Sequence, residues 1–153
     1  MTTSRDPIEL GQMQIAFLVD EDDSGGSATV FECTVAPAAK VPVPHSHDAF
    51  EETIYGLEGV VTWTVDGEVH EIAPGDSVCI RRGQVHGFEN LGDVATKFLA
   101  IATPGVLGPR YFLDVAEVAA AAAAAGGPPD PAAIGAVMQR HGLTPVPVVP
   151  AAR

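Results

Sequence analysis

The sequence predicts an all-β domain, a sandwich or barrel of short strands, followed by a short two-helix C-terminal extension. From residue 13 to residue 103, short apolar or alternating stretches are separated by turn signals roughly every 8 to 12 residues, which is typical of that architecture. After Thr103-Pro104-Gly105 the sequence changes to alanine-rich helix formers. We therefore expect a β domain over residues 1–105 and a helical tail over residues 106–153 that packs on it.

Seven stretches have the composition of strands, because β-branched and aromatic residues recur between clusters of Gly, Pro, Asn and Asp. The Asp66-Gly67 pair predicts a two-residue hairpin, since both residues tolerate a positive φ. The acidic run at 20–23 predicts a solvated turn. In chain order the stretches are MQIAFLV (13–19), SATVFECTV (27–35), VVTWTV (60–65), EVHEI (68–72), SVCI (77–80), QVHGFEN (84–90) and ATKFLAIAT (95–103).

Two helices are predicted in the extension. The first covers residues 110–125 and ends at Gly126-Gly127, where glycine commonly closes a helix. The second begins at Asp130-Pro131, an N-cap residue followed by the proline that suits the first helical position. It ends near Gly142, and the proline-rich residues 144–153 are expected to be extended.

Composition and charge limit the possible partners. The chain has 153 residues, of which 46% are hydrophobic and 18% charged, as expected for one globular domain. Its formal net charge of −12 disfavours nucleic acid and anionic membranes as partners. The N-terminus lacks the apolar core of a signal peptide, and no apolar stretch is long enough to span a bilayer. We expect a cytoplasmic protein in which Cys33 and Cys79 are small, buried, reduced residues.

Two histidines separated by one residue are the first candidate functional feature. In a strand, residues i and i+2 point to the same side, so His45 and His47 could direct two imidazoles at one point. A nearby carboxylate would add an oxygen donor, and His86 offers a further imidazole from another segment. A His-x-His pair alone is weak evidence, because both residues could also lie in a loop next to Pro42 and Pro44.

The wider spacing resembles the two motifs of the cupin family. His45-Ser46-His47 is followed by four residues, Glu52, six residues and Gly59, as in G-x5-H-x-H-x3–4-E-x6-G. Gly75 is followed at the expected distances by Gly83, His86 and Asn90, as in G-x5-P-x-G-x2-H-x3-N. Motif one thus covers residues 45–59 and motif two residues 75–90. Ala39 and Arg81 replace the first glycine and the proline, which are backbone positions and not ligands.

The resemblance implies a jelly-roll β-barrel that holds one divalent transition metal ion through His45, His47, Glu52 and His86. Iron or manganese is favoured for such a nitrogen and oxygen donor set, and nickel, copper or zinc is possible. Glu51 could replace Glu52, but the six residues that separate Glu52 from Gly59 favour Glu52.

The resemblance also suggests an enzyme, specifically a dioxygenase similar to quercetin dioxygenases, that acts on a small enolisable or phenolic substrate. Glu52 would then also be the catalytic base. Two alternatives stay open: a metal-dependent isomerase, hydrolase or lyase that needs no dioxygen, and a non-catalytic small-molecule binder or sensor. Ile54, Trp63 and Phe88 are the candidate pocket residues. The expected partners are a small-molecule substrate and a second copy of the chain in a homodimer.

Overall fold

Two antiparallel sheets and three helices make up the part of the chain that the computed structural model describes, residues 5–40 and 43–147. The strands in these ranges are β1 Ile8–Leu10, β2 Met13–Val19, β3 Thr29–Val35, β4 His45–His47, β5 Glu51–Glu58, β6 Val61–Val65, β7 Glu68–Ile72, β8 Ser77–Ile80, β9 His86–Glu89, β10 Thr96–Thr103 and β11 Leu143–Pro145. The helices are α1 Glu21–Ser24, α2 Pro109–Ala124 and α3 Pro131–Arg140.

The strands form a six-stranded sheet in the order β1-β2-β3-β10-β5-β8 and a five-stranded sheet in the order β11-β4-β9-β6-β7. Most residues on the inner faces of the sheets are apolar and pack together. The ring of Trp63 on β6 lies 5.2 Å, centroid to centroid, from that of Phe98 on β10 in the other sheet. This arrangement confirms the predicted all-β jelly-roll with a helical extension.

The predicted hairpin turn is present in the structure, whereas the predicted acidic turn is a short helix. Asp66 and Gly67 have φ of 48° and 83°, which are the left-handed conformations of the predicted hairpin. The acidic run is not a simple turn, because residues 21–24 form the one-turn helix α1. Asp20 caps that helix by accepting hydrogen bonds from the backbone N–H groups of Asp22 and Asp23, each at 2.9 Å.

Asn90 fixes the end of β9 by hydrogen bonding. Its side-chain amide donates to the carbonyls of Val35, Ala36 and Val94, and its Oδ1 accepts from the N–H of Gly92 at 3.0 Å. Since Asn90 is buried, these bonds join the β9–β10 connection to the end of β3.

The C-terminal extension is continuous with the five-stranded sheet. After α3 the chain forms β11, which pairs with the histidine strand β4 so that Leu143 lies opposite His47 and Pro145 opposite His45. The predicted extended segment thus includes a strand, and residues 148–153 lie outside the described part. Asp114 of α2 accepts a hydrogen bond from His141 Nε2 at 2.7 Å and so ties α2 to the end of α3. No described helix is long and apolar enough to cross a membrane.

The two cysteines differ from each other, and the sequence prediction was wrong for one of them. Cys33 is buried in the core with 1% of its surface exposed, as predicted. Cys79 is exposed, because it alternates with Ile80 on β8, an edge strand, and points outward. Both thiols are free, so they form no disulfide.

Candidate metal centre

The candidate ligands come from both sheets. His45 and His47 lie on β4, and His86 lies on the neighbouring strand β9, where it is the antiparallel partner of His45. Glu52 comes from β5 in the opposite sheet. The site is therefore built across the inside of the barrel, where two segments far apart in the sequence meet.

Three of the four predicted ligands form a compact group. The ligand atoms of His47, Glu52 and His86 all lie within 4.8 Å of one another, and all three residues are buried. Glu52 Oε2 is 3.3 Å from His47 Nε2 and 3.6 Å from His86 Nε2. These separations leave room for one cation between the three side chains.

The backbone sets which nitrogen of each histidine is free to bind a metal. The Nδ1 atoms of His47 and His86 lie 2.9 Å from the carbonyl oxygens of Phe50 and Gln84, and the Nδ1 of His45 lies 3.2 Å from that of Val43. Because a carbonyl only accepts, each Nδ1 carries the proton and donates. Each Nε2 then keeps its lone pair, which is the tautomer that ligates metals.

In this tautomer the nitrogen lone pairs face a carboxylate oxygen, and a metal ion between them would remove the repulsion. The lone pairs on the Nε2 atoms of His47 and His86 face an oxygen of Glu52, so acceptors meet acceptors unless a proton or a cation lies between them. The Nε2 of His86 is also buried with no hydrogen-bond partner among the described residues. Orphaned buried polar atoms are rare in folded proteins. The donor set therefore fits a divalent cation.

His45 lies at the edge of this group. Its ring centroid is 4.5 Å from that of His86 and 6.3 Å from that of His47. Its ligand atoms are outside the group of three described above. The strand thus brings both histidines to the same side of the barrel, as expected, but only His47 points its Nε2 directly at Glu52.

The choice between the adjacent glutamates is clear in the structure. Glu52 is buried beside the histidines with 7% of its surface exposed. Glu51 points to the other side of β5 and forms an ion pair with Arg82 Nε at 2.9 Å on the surface. This is the alternation that a strand requires.

Burial and the neighbouring histidines shift the pKa of Glu52 in opposite directions. Burial by itself raises the pKa of Glu52, whereas hydrogen bonds donated by His47 and His86, when their Nε2 atoms carry a proton, lower that pKa and outweigh burial. Burial, with a smaller contribution from His86, lowers the pKa of His45 to about 4. At neutral pH the carboxylate is ionised and His45 is neutral, which are the states that ligate a metal.

A cavity of about 100 Å³ adjoins the candidate ligands. His45, Glu52 and His86 line it together with Trp63 and Phe88, two of the three predicted pocket residues. Ile54, the third, is not among the described residues that line the cavity. It points inward from β5 like Glu52 and is fully buried within the core.

The sequence analysis did not predict most of the other residues that line the cavity. Seven lining residues belong to the C-terminal extension: Leu107, Tyr111, Phe112, Val115, Ile134, Met138 and Leu143. Helical periodicity shows which residues of a helix are apolar but not what they cover, so the sequence carried no signal for this contact. Cys33 also lines the cavity, and burial followed by the charge of Glu52 raises the pKa of its thiol. Without a metal beside it, the thiol therefore stays protonated.

Comparison with known proteins supports the same family as the motifs. Residues 31–102 match the model of the cupin domain. An uncharacterized protein of Methanocaldococcus jannaschii is 34% identical over 70 residues, which are 46% of this chain and 56% of that protein. Quercetin 2,3-dioxygenase of Bacillus subtilis is 34% identical over 69 residues, which are 45% of this chain and 20% of the enzyme.

The match thus spans about half of the first of these relatives and a fifth of the second. Among solved structures, the polyketide cyclase RemF from Streptomyces resistomycificus superposes with a TM-score of 0.58 and 27% identity. The superposition covers 71% of this chain and 78% of that one. The two-sheet fold, the motif spacing and these matches agree, and the chain therefore carries a cupin domain.

Proposed function

We propose that this protein is a metal-dependent dioxygenase that acts on a small enolisable or phenolic compound. The observation that carries the proposal is the buried group of His47, Glu52 and His86, whose ligand atoms lie within 4.8 Å of one another beside a cavity. The partial likeness to quercetin 2,3-dioxygenase supports the reaction type.

His47, His86 and Glu52 would hold the metal ion, and His45 would complete a set of three histidines and one glutamate. The His45 ring lies beside that of His86, with centroids 4.5 Å apart. A divalent ion of iron or manganese, with open coordination positions, would supply binding and activation of substrate and dioxygen there.

Glu52 has a second role in the proposal, as the base that removes the acidic proton of the substrate. Its carboxylate lines the cavity, which places a proton acceptor beside a bound molecule. The apolar wall excludes water and thereby strengthens the interaction between the carboxylate and the substrate.

The cavity volume narrows the substrate class. A cavity of 150 Å³ accommodates benzene, whereas this one measures about 100 Å³. A small diketone or hydroxyketone is therefore favoured over a flavonol, which could enter only if the extension moved away.

A second candidate is metal-assisted chemistry without dioxygen, such as isomerisation or cyclisation. The likeness to a polyketide cyclase favours it, because that likeness covers more of both chains than the likeness to quercetin 2,3-dioxygenase does. In this case Glu52 would transfer a proton in the same way, and no oxidant would be consumed.

Dioxygen uptake separates these candidates. The protein is purified without a nickel column, its metal content is measured, and it is loaded with iron(II) or manganese(II). It is then assayed with small diketones, hydroxyketones, catechols and flavonols in air and under nitrogen. The dioxygenase proposal predicts oxygen consumption with the small enolisable compounds. Turnover under nitrogen would support the second candidate, and binding without turnover in either atmosphere would indicate a binder or sensor.

Two adjacent glutamates provide a matched pair of variants for the assay. Glu52→Gln removes the proposed ligand and base, and we expect kcat to fall at least about 100-fold, as for loss of a positioned proton acceptor. Glu51→Gln makes the same chemical change at a surface ion pair and should keep kcat within about twofold, since exposed pairs contribute little. Equal losses in the two variants would contradict the assignment of Glu52.

A further inference from the structure

The C-terminal extension brings one polar group to a wall that is otherwise apolar. Of its seven cavity-lining residues, only Tyr111 on α2 carries a polar side-chain atom able to donate a strong hydrogen bond. The ring of Tyr111 packs against Phe112 and His141, with centroids 5.0 Å and 5.5 Å away. The ring is therefore held in place, and its hydroxyl has a fixed position in the wall.

Tyr111 lines the cavity and only 8% of the residue is exposed. Burial and then the nearby charge of Glu52 raise the pKa of Tyr111, so the phenol stays protonated and can donate. A hydroxyl in a cavity wall gains a hydrogen bond when a bound molecule accepts its proton.

We propose that the Tyr111 hydroxyl donates a hydrogen bond to an oxygen atom of the molecule bound in this cavity. The ligand would thus be bound at two places, by the metal centre on the barrel side and by Tyr111 on the extension side. Tyr111 then contributes, on the extension side, to the selection of carbonyl- or hydroxyl-bearing molecules over hydrocarbons of equal size. The inference rests on the proposed function only in taking this cavity as the substrate site.

The selectivity expected from this arrangement follows from the rest of the wall. The neighbouring extension residues Leu107, Phe112, Ile134 and Met138 offer no alternative donor. A site built to hydrogen-bond an oxygen rejects a molecule that lacks one, because its own donor is then left unpaired. The extension therefore contributes to the ligand specificity of the cavity as well as forming part of its wall.

The test uses binding and not turnover. Protein loaded with zinc, which has no redox chemistry, is titrated with hydroxyacetone, a small molecule with both a carbonyl and a hydroxyl, and binding is followed by NMR. Tyr111→Phe keeps the ring and removes only the hydroxyl. We expect the Kd for hydroxyacetone to rise about fivefold to tenfold, as for loss of one hydrogen bond.

Two controls show whether the effect is specific. Xenon binds apolar cavities without hydrogen bonds, so its affinity should be the same in Tyr111→Phe and wild type if the cavity is intact. Tyr55→Phe makes the same change at the other tyrosine of the chain, which is 42% exposed, and should alter neither ligand.

The proposal is overturned if Tyr111→Phe binds hydroxyacetone as tightly as wild type does, or if wild type binds xenon but not hydroxyacetone. A lower affinity for both ligands would also count against it, since that result indicates a collapsed cavity and not a lost hydrogen bond. Absence of dioxygen uptake would refute the dioxygenase proposal and leave this binding result unaffected.

Discussion

At the scale of single residues, the backbone prepares the histidines for their role. Each of the three Nδ1 atoms is held by a carbonyl two or three residues away in the chain, so the tautomer is fixed by local geometry and not by distant contacts. His47 is further stacked on Phe50, with ring centroids 3.9 Å apart. The imidazoles are therefore oriented before any cation arrives, which lowers the entropic cost of binding one.

His45 leads to a prediction about acid stability in metal-free protein. Its pKa of about 4 in the folded chain is below the usual value of 6.5, because burial disfavours the charged form. The unfolded chain then binds a proton that the folded chain does not. The free energy of unfolding should be intact above about pH 6.5 and fall as the pH decreases towards 4.

Chemical denaturation at several pH values checks this expectation. His45→Gln should lose less stability than wild type between pH 6.5 and 4, and His70→Gln, a change at a partly exposed strand residue, should behave like wild type. Identical pH dependence in wild type and His45→Gln would show that His45 is not the responsible group.

At the scale of elements, strand β5 carries Glu52. The backbone of this strand lies in close contact with the backbone of the segment that precedes β8. A side chain at Gly56 would overlap the carbonyl group of Ala73, which precedes β8, the neighbour of β5. Glycine is required there for space, since a backbone group cannot move aside as a flexible side chain can.

Gly56→Ala should therefore destabilise the protein by about 3 kcal/mol or more, through strain and displacement of β5. Denaturant unfolding monitored by circular dichroism measures the loss. Gly127→Ala is the matched control, because a side chain at Gly127 meets open space. A change of less than about 0.5 kcal/mol in Gly56→Ala, similar to that expected for a surface substitution, would contradict the account.

The sequence predicted those elements whose signals are local. The hairpin at Asp66-Gly67, the strands 13–19 and 68–72, and the caps of α3 depend on neighbouring residues and were predicted closely. The pairing of β11 with β4 was not predicted, because a three-residue strand becomes a strand only through its partner. The outward direction of Cys79 was missed for the same reason, as burial on an edge strand depends on tertiary contacts.

The candidate site was predicted to a similar extent. Fixed spacings pointed to His47, Glu52 and His86, which lie together in the structure, and the distance to Gly59 favoured Glu52 over Glu51, which pairs with Arg82. The offset of His45 and the absence of Ile54 from the described cavity wall were not predictable. Both depend on how far each side chain lies along the barrel axis, which alternation alone does not give.

At the scale of the whole molecule, the extension completes the cavity. The barrel supplies the metal ligands, and α2, α3 and β11 supply much of the apolar wall. The histidine strand β4 lies between β9 and β11, so the extension also pairs with the strand that carries two of the ligands. Homodimer formation and a cytoplasmic location stay predictions.

The size of the cavity can be tested by enlarging it from the extension side. Met138 on α3 is 3% exposed and lines the cavity, so Met138→Ala should create space for benzene at a cost of about 2–5 kcal/mol in stability. Benzene should then raise the Tm of this variant but not that of wild type. Leu113→Ala, a change at a residue of α2 that is 41% exposed, should gain no benzene binding. Equal binding by wild type and Met138→Ala would mean that the cavity is larger than described.

The most direct test of the central claim is metal stoichiometry. Wild type, His47→Ala, His86→Ala and the control His70→Ala are dialysed against cobalt(II), and bound metal is measured per chain, with circular dichroism to confirm folding. The account predicts one ion in wild type and in His70→Ala, and none bound stoichiometrically in folded His47→Ala or His86→Ala. Full occupancy in either of these two variants would contradict the assigned site.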